Sequence, residues 1–246
     1  RHAYGLCGLF VLLVVTPAVL WLLKGHEKRH EEFLAQRQAV TDGEQPRVIS
    51  WTRAQVIRDK RFYMVLPGFL APSYILTAMF FHHLNLADAK GWSHTWMTGS
   101  YIIYAGVATL TAITAGQLVD RFSAVKVVPY MMGFLVGAVS AAAILSAPWT
   151  LWLYLSLAAV SSGIAHTAGS ALWAEVYGVD YIGAVKSLAA ALGVFASALG
   201  PVTLGIVMDL GYSIETGCWL FAAYTVLTTG SILAAKLHKP LAPPGQ

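Results

Sequence analysis

Seven long stretches of this sequence contain no charged side chain in their interior. Each runs for about 20 residues or more, the length that a helix needs to cross the hydrocarbon core of a bilayer. They occupy 4–23, 62–84, 94–118, 126–146, 149–174, 187–208 and 216–235. An open strand in lipid would leave its amides unpaired, so each stretch is predicted to be helical. With 57% hydrophobic and 11% charged residues, the chain is predicted to be an all-α integral membrane protein with about seven transmembrane helices.

Basic residues distinguish the two sides of the membrane. Segment 24–61 carries nine Lys and Arg side chains. Connections on the same side add five more, which are Arg121, Lys126, Lys186, Lys236 and Lys239. The opposite side holds only Arg1 and Lys90, so the positive-inside rule predicts a cytoplasmic 24–61 segment and C-terminus in the cell membrane, with residue 1 outside. Because the charge follows the loops and is not gathered on one face, a nucleic-acid partner is not expected.

The last six stretches divide into two halves of three, 62–146 and 149–235. The second stretch of each half ends alike, with Gly116-Gln117-Leu118-Val119-Asp120 in one and Gly205-Ile206-Val207-Met208-Asp209 in the other. One of these ends is predicted to be inside and the other outside. Similar ends in opposite orientation are typical of an inverted-topology repeat, so a three-plus-three inverted-repeat bundle is predicted.

Several motifs resemble one transporter family. Residues 116–121, Gly-Gln-Leu-Val-Asp-Arg, resemble the G-x-x-x-D-R loop signature of the major facilitator superfamily, and 199–209 resembles its eleventh span. Residues 58–63 are similar to the start of its seventh span, while 80–84 and 91–93 are similar to the external end of that span. The resemblance implies spans six to twelve of a twelve-helix transporter. It also implies helix packing at Gly200, Pro201, Gly205 and Asp209.

This resemblance implies a division of the chain. Residues 1–23 are the last helix of a missing N-terminal bundle, and 24–61 form a cytoplasmic interdomain loop. The C-terminal six-helix bundle is expected over 62–236, followed by a cytoplasmic tail over 237–246. The missing half is an expected partner, together with the lipid bilayer and a small-molecule substrate.

Two departures accompany the resemblance. The family signature usually continues with Gly and two basic residues, whereas this chain has Phe122 and Ser123, and then a single Lys126. The external Phe-Phe-His-His segment resembles the monocarboxylate and oxalate branches, which tend to carry a cation in the eighth or eleventh span. Neither predicted span here contains one, so an anionic substrate would need a charge from the missing half or from a histidine.

Ionisable residues at membrane depth are costly and are therefore functional candidates. His166 lies in the span 149–174 beside small residues that permit a water-filled pocket, and we expect it to face a central cavity. An imidazole that is hydrogen-bonded between helices is the alternative. His82 and His83, near the external end of their span, are candidates for substrate or proton coupling or are interfacial residues. Candidate cavity-lining aromatics are Tyr74 and Tyr104.

A second group of residues predicts a cytoplasmic gate. This group contains Gly116, Asp120, Arg121, Glu175 and Lys186. Arg121 is expected to pair with Glu175. Asp120 is expected to cap the helix that begins near Ser187, because its amides carry partial positive charge. These contacts would latch the outward-open state.

Other functions have weaker support. His26-Glu27-Lys28-Arg29-His30 matches the H-E-x-x-H zinc-protease pattern, but two cations lie inside the motif and no third ligand follows with defined spacing. A retinal protein would need a buried lysine in its last span, and Lys236 lies only at the end. A seven-span receptor stays an alternative.

The prediction is secondary transport of a small organic solute, first an organic acid, by alternating access. The transport is proton-coupled or an exchange. No enzymatic activity, cofactor or metal is predicted.

Overall fold

The computed structural model describes residues 8–9, 11–23 and 50–237. The chain divides into two compact units, Arg1–Val48 and Ile49–Gln246. In the first unit a π-helical segment, Val11–Val15, leads into α1, Thr16–Leu23. Together these two helical segments cover 11–23 of the predicted span 4–23.

All regular secondary structure in the described part of the second unit is helical. They are α2 (Arg53–Arg58), α3 (Lys60–Phe81), α4 (His83–Lys90), α5 (His94–Gly99), α6 (Tyr101–Phe122), α7 (Ala124–Ile144), α8 (Thr150–Tyr177), α9 (Ile182–Asp209) and α10 (Ile214–Ala234). Six helices in this part are long and apolar enough to span a membrane, α5 and α6 counting as one. They overlap the six predicted stretches, which confirms the predicted all-α membrane fold class.

Helix α9 begins earlier than the sequence indicates. It begins at Ile182, five residues before the predicted limit at Ser187. The prediction excluded Lys186 from the span because a lysine in lipid is costly. The helix includes it nevertheless, and its side chain is exposed within the unit.

The packing of the six spans follows the predicted two-half division. Helix α3, the first of its half, packs on α9 and α10 of the other half. Helix α8, the first of the second half, packs on α6 and α7 of the first. The third helices, α7 and α10, pack on each other. Exchange of the two halves leaves this contact pattern unchanged, as expected for an internal repeat.

The closest backbone approaches obey the same repeat. Gly116 and Gly205 are 89 positions apart in sequence. A Cβ at Gly163 would lie 2.8 Å from the Cβ of Thr111, where α8 crosses α6, and a Cβ at Gly200 would overlap the Tyr74 carbonyl oxygen, where α9 crosses α3. Since 89 positions also separate Thr111 from Gly200 and Tyr74 from Gly163, the two crossings are equivalent. Small residues permit such backbone contact between membrane helices.

A buried lysine joins three helix ends at one end of the bundle. Lys90, at the end of α4, has a side chain that is only 4% exposed, and its Nζ lies 3.1 Å from Glu215 Oε1 at the start of α10. It also donates to the Ala143 carbonyl near the end of α7 (2.8 Å). The indole of Trp92 donates to the carbonyl of Ser146 (2.8 Å), so the α4–α5 segment is held against two helix ends.

The segment before α3 is docked on the end of α8. Trp51 is buried, and its backbone N–H donates to the carbonyl of Tyr177 (2.8 Å). The Tyr177 hydroxyl donates to Asp59, which also caps α3 by accepting from the Arg61 amide. Thr52 precedes α2 and donates its amide to the Gln55 side chain (2.8 Å), as part of a capping box.

Substitution of Gly200 tests the crossing of α3 and α9. We expect Gly200→Ala to lower the free energy of unfolding by about 1–3 kcal/mol, because the methyl group forces the helices apart against the Tyr74 backbone. Thermal unfolding of the purified protein in detergent measures this loss. Gly133→Ala is the matched control, since no atom lies within 4 Å of a Cβ there. Equal melting temperatures for both variants would contradict a tight crossing.

Candidate functional site

A cavity of about 640 Å³ lies between α3, α6, α8 and α9. Most of its wall is apolar, with aromatic side chains that include Phe69, Phe80 and Trp173. His166 and Tyr104, two of the candidate site residues, line it. The His166 side chain is exposed within the unit and therefore open to a ligand. Its role in coupling stays a prediction.

Both halves of the repeat contribute equivalent positions to this wall. Ser73, Leu76, Thr77 and Phe80 line it from α3. The positions 89 residues further along, which line it from α8, are Ser162, Ala165, His166 and Gly169. Tyr104 of α6 and Gly193 of α9 form a further equivalent pair on the wall. The repeat therefore relates two sides of one cavity, which is where inverted-repeat transporters bind their substrates.

Hydroxyl groups on the wall fall into two kinds. Ser170 donates to the Thr167 carbonyl (3.1 Å) and Ser197 to the Val194 carbonyl (2.8 Å), so each is satisfied by its own helix. Ser73, Thr77 and Ser162 make no side-chain hydrogen bond to any residue in the described part of the chain. Sequence reasoning missed these three, although the spacing Ser-x-x-x-Thr on α3 and Ser-x-x-x-His on α8 could have shown them.

The charge of the wall corrects one sequence-based expectation. The eleventh-span equivalent was expected to lack a cation, but Lys186 lies inside α9 and lines the cavity with His166. The assignment of Lys186 to the gate stays a prediction. No Asp or Glu is among the wall residues in the described ranges. The wall is therefore positively charged where the sequence suggested neutrality.

His83 does not line the cavity, and its expected role in substrate or proton coupling stays a prediction. It is 2% exposed, and its Nδ1 and Nε2 each lie 2.8 Å from a tyrosine hydroxyl, Tyr101 and Tyr154 respectively. Tyr154 is fully buried with no other acceptor in the described residues, so its hydroxyl donates to Nε2. Nδ1–H then donates to Tyr101. Burial lowers the pKa of His83, which lies beyond the end of α3, to about 4.

Two further candidates also lie outside this cavity. His82 Nε2–H donates to the carbonyl of Pro201 (3.1 Å), next to Gly205. The Tyr74 hydroxyl donates to Thr203 Oγ1 (2.9 Å), and its ring packs on aromatic side chains of α10. Both side chains therefore link α3, or the residue that follows it, to α9. Asp209, a predicted packing residue, is the last residue of α9.

Glu175 makes different contacts from those predicted. Its carboxylate accepts from the Ser123 hydroxyl (2.5 Å) and from the amides of Ala124 (2.8 Å) and Val125 (3.4 Å). It thus caps the start of α7, where a carboxylate meets unpaired amides and partial positive charge. Within the described residues it has no ion pair with Arg121, whose guanidinium lies over the Phe122 ring (5.3 Å).

The other gate residues are placed at the end of α6. Asp120 and Arg121 are exposed in its last turn, and the described residues show no bond from Asp120 to the start of α9. A Cβ at Gly116 would lie 3.9 Å from the Thr167 side chain. A gate that forms in another conformation stays a prediction.

The repeat-related cavity agrees with the comparison to known families. A sequence model of the Major Facilitator Superfamily matches residues 1–201. The chain belongs to this superfamily. Among curated proteins, no relative matches it significantly. The superfamily consists of membrane transporters and not enzymes, so this chain is a multi-pass membrane transport protein.

The receptor and zinc-protease interpretations gain nothing from the structure. Family membership favours a transporter over a receptor. His26 and His30 lie outside the described residues. Within the described ranges, no group of three His, Cys, Asp or Glu side chains is placed to hold a metal ion.

A stability measurement tests the structural role of His83. His83→Leu leaves the buried Tyr154 hydroxyl without its acceptor, so we expect a loss of about 1–3 kcal/mol in the free energy of unfolding. The added change Tyr154→Phe removes both partners and should recover part of that loss. Thermal unfolding of the parent protein, His83→Leu and the double variant measures these differences in stability.

The same variants have a pH signature. The pKa of His83 is about 4 in the folded protein, against 6.5 ordinarily, so the unfolded chain takes up a proton first as the pH falls. Its stabilisation is complete above about pH 6.5 and is lost towards pH 4. His83→Leu should flatten this slope while leaving the pH profile of transport unchanged. A shifted transport profile would restore His83 as a coupling residue.

Proposed function

We propose that this transporter carries a small organic solute, foremost an organic acid, by alternating access. The observation that supports this most directly is the cavity between α3, α6, α8 and α9, which contains Lys186 and His166 but no carboxylate in its described wall. A cationic wall in a low-dielectric surrounding attracts an anion and disfavours a cation. The aromatic and aliphatic remainder suits the carbon skeleton of the solute.

The described cavity is one side of the proposed site. In inverted-repeat transporters the substrate binds near the bilayer midplane, and in this superfamily between two bundles. We infer that residues 1–23 belong to a further bundle of the transporter, and that 24–61 is the linker between the two bundles. A monocarboxylate-like substrate agrees with the wall charge.

Membrane orientation follows the charge distribution. With 24–61 and the C-terminus in the cytoplasm, Lys186 lies near the cytoplasmic end of α9. Lys186 is seven residues from Gly193, about 10 Å along the helix. An anion that enters from the cytoplasm would meet this charge before the middle of the cavity. Coupling to protons or exchange would use His166, whose imidazole is exposed to the cavity.

Uptake into proteoliposomes tests the substrate class. Benzoate and benzamide share one skeleton, and only benzoate is anionic at neutral pH. We expect the transporter to carry benzoate in preference to benzamide. Lys186→Met should reduce benzoate uptake roughly tenfold, because it removes the charge of the cavity wall. Lys186→Arg, which keeps the charge, is the control. Preferred uptake of benzamide would contradict an organic-acid transporter while leaving transport intact.

Replacement of His166 tests coupling. His166→Ala should reduce uptake and weaken its dependence on an imposed pH gradient, because the imidazole is exposed to the cavity. Its melting temperature should match that of the parent protein, since His166 has no side-chain hydrogen bond within the described residues. Ser170→Ala, one turn further along α8, is the control. Unchanged uptake with an unchanged pH profile would assign His166 to packing.

A further inference from the structure

The four serines on the cavity wall differ in one respect that points to a ligand. Ser170 and Ser197 donate to carbonyl groups of their own helices. Ser73 and Ser162 line the same cavity and donate to no group in the described part of the chain. A membrane-embedded hydroxyl ordinarily bonds to the preceding turn. The two hydroxyls that do not are therefore available to something in the cavity.

These two serines are also repeat mates. They are 89 positions apart, the same offset that relates Thr111 to Gly200, Tyr74 to Gly163 and Gly116 to Gly205. Ser73 lies next to the crossing residue Tyr74, and Ser162 lies next to Gly163. The backbone of each serine is therefore held beside a tight helix crossing. Donors on such rigid positions lose little freedom on binding.

We propose that Ser73 and Ser162 are paired hydrogen-bond donors for the carboxylate of the substrate, one from each half of the repeat. The assignment rests on the proposed transport of an organic acid. A carboxylate has two acceptor oxygens, and two hydroxyls that face one cavity from equivalent positions match that number. His166 lies one helical turn beyond Ser162, and Thr77 one turn beyond Ser73.

The surroundings strengthen such bonds. The wall between these hydroxyls is mostly apolar, and hydrogen bonds to an ionised group are about twice as strong as neutral ones. Lys186 on the same wall supplies the opposite charge. No acceptor side chain of Asp or Glu on the described wall competes with the ligand for these donors.

Binding measurements on the full-length protein test the pair. We expect Ser73→Ala and Ser162→Ala each to weaken benzoate binding roughly tenfold, the effect of losing one hydrogen bond to an ion. Benzamide binding should change less. Ser170→Ala and Ser197→Ala are matched controls on the same wall, and we expect them to bind benzoate like the parent protein. Melting temperatures confirm that all four variants fold alike.

The outcomes separate this inference from the proposed function. If the parent protein binds and transports benzoate but all four serine variants behave alike, the paired-donor assignment is overturned and organic-acid transport stands. If only benzamide binds, and only Ser73→Ala and Ser162→Ala weaken benzamide binding, the serines contact a neutral solute and the carboxylate assignment is wrong. Failure to bind either compound would overturn both the assignment and the substrate class.

Discussion

The two glycine crossings fix the arrangement of the described bundle. Where α8 crosses α6 and where α9 crosses α3, the backbones approach so closely that a side chain larger than hydrogen collides with Thr111 or with the Tyr74 carbonyl. Lipid tails are as apolar as the helix surfaces, so close packing must supply the association that the hydrophobic effect provides in water. Both crossings occur at repeat-equivalent positions, and the cavity wall contains the adjacent residues Ser73 and Ser162.

Hydrogen-bond satisfaction separates structural polar residues from available ones. His83 and Tyr74 are aromatic or ionisable groups in a membrane protein, which makes each a functional candidate by composition. Each has a complete set of partners, so each stabilises contacts between helices. His166, Thr77 and Ser162 have none within the described residues and face the cavity. Burial of unsatisfied polar groups is costly, so exposure to an open cavity accounts for their lack of partners.

The departure from the family signature at Ser123 has a local explanation. Ser123 has φ 78°, a backbone conformation that favours the glycine usual in the signature. Its hydroxyl and the next two amides bond to the Glu175 carboxylate, which offsets the strain of the side chain there. The predicted Arg121–Glu175 pair would compete for that same carboxylate. Charge alone predicted the Arg121–Glu175 pair, whereas in the structure the Glu175 carboxylate caps the start of α7.

Hydropathy alone was sufficient to predict six described spans and their helical state, because the cost of unpaired amides in lipid admits few alternatives. The repeated Gly-x-x-x-Asp ends were sufficient to predict two equivalent halves. Sequence patterns could not show which polar side chains face the cavity, since Ser73 and Ser170 look alike until the partner of each hydroxyl is known. Nor could they place Lys186 in the wall, because the start of α9 depends on packing that tolerates a lysine beside a cavity. Those assignments depend on contacts between residues that are distant in sequence, and only the folded chain brings such residues together.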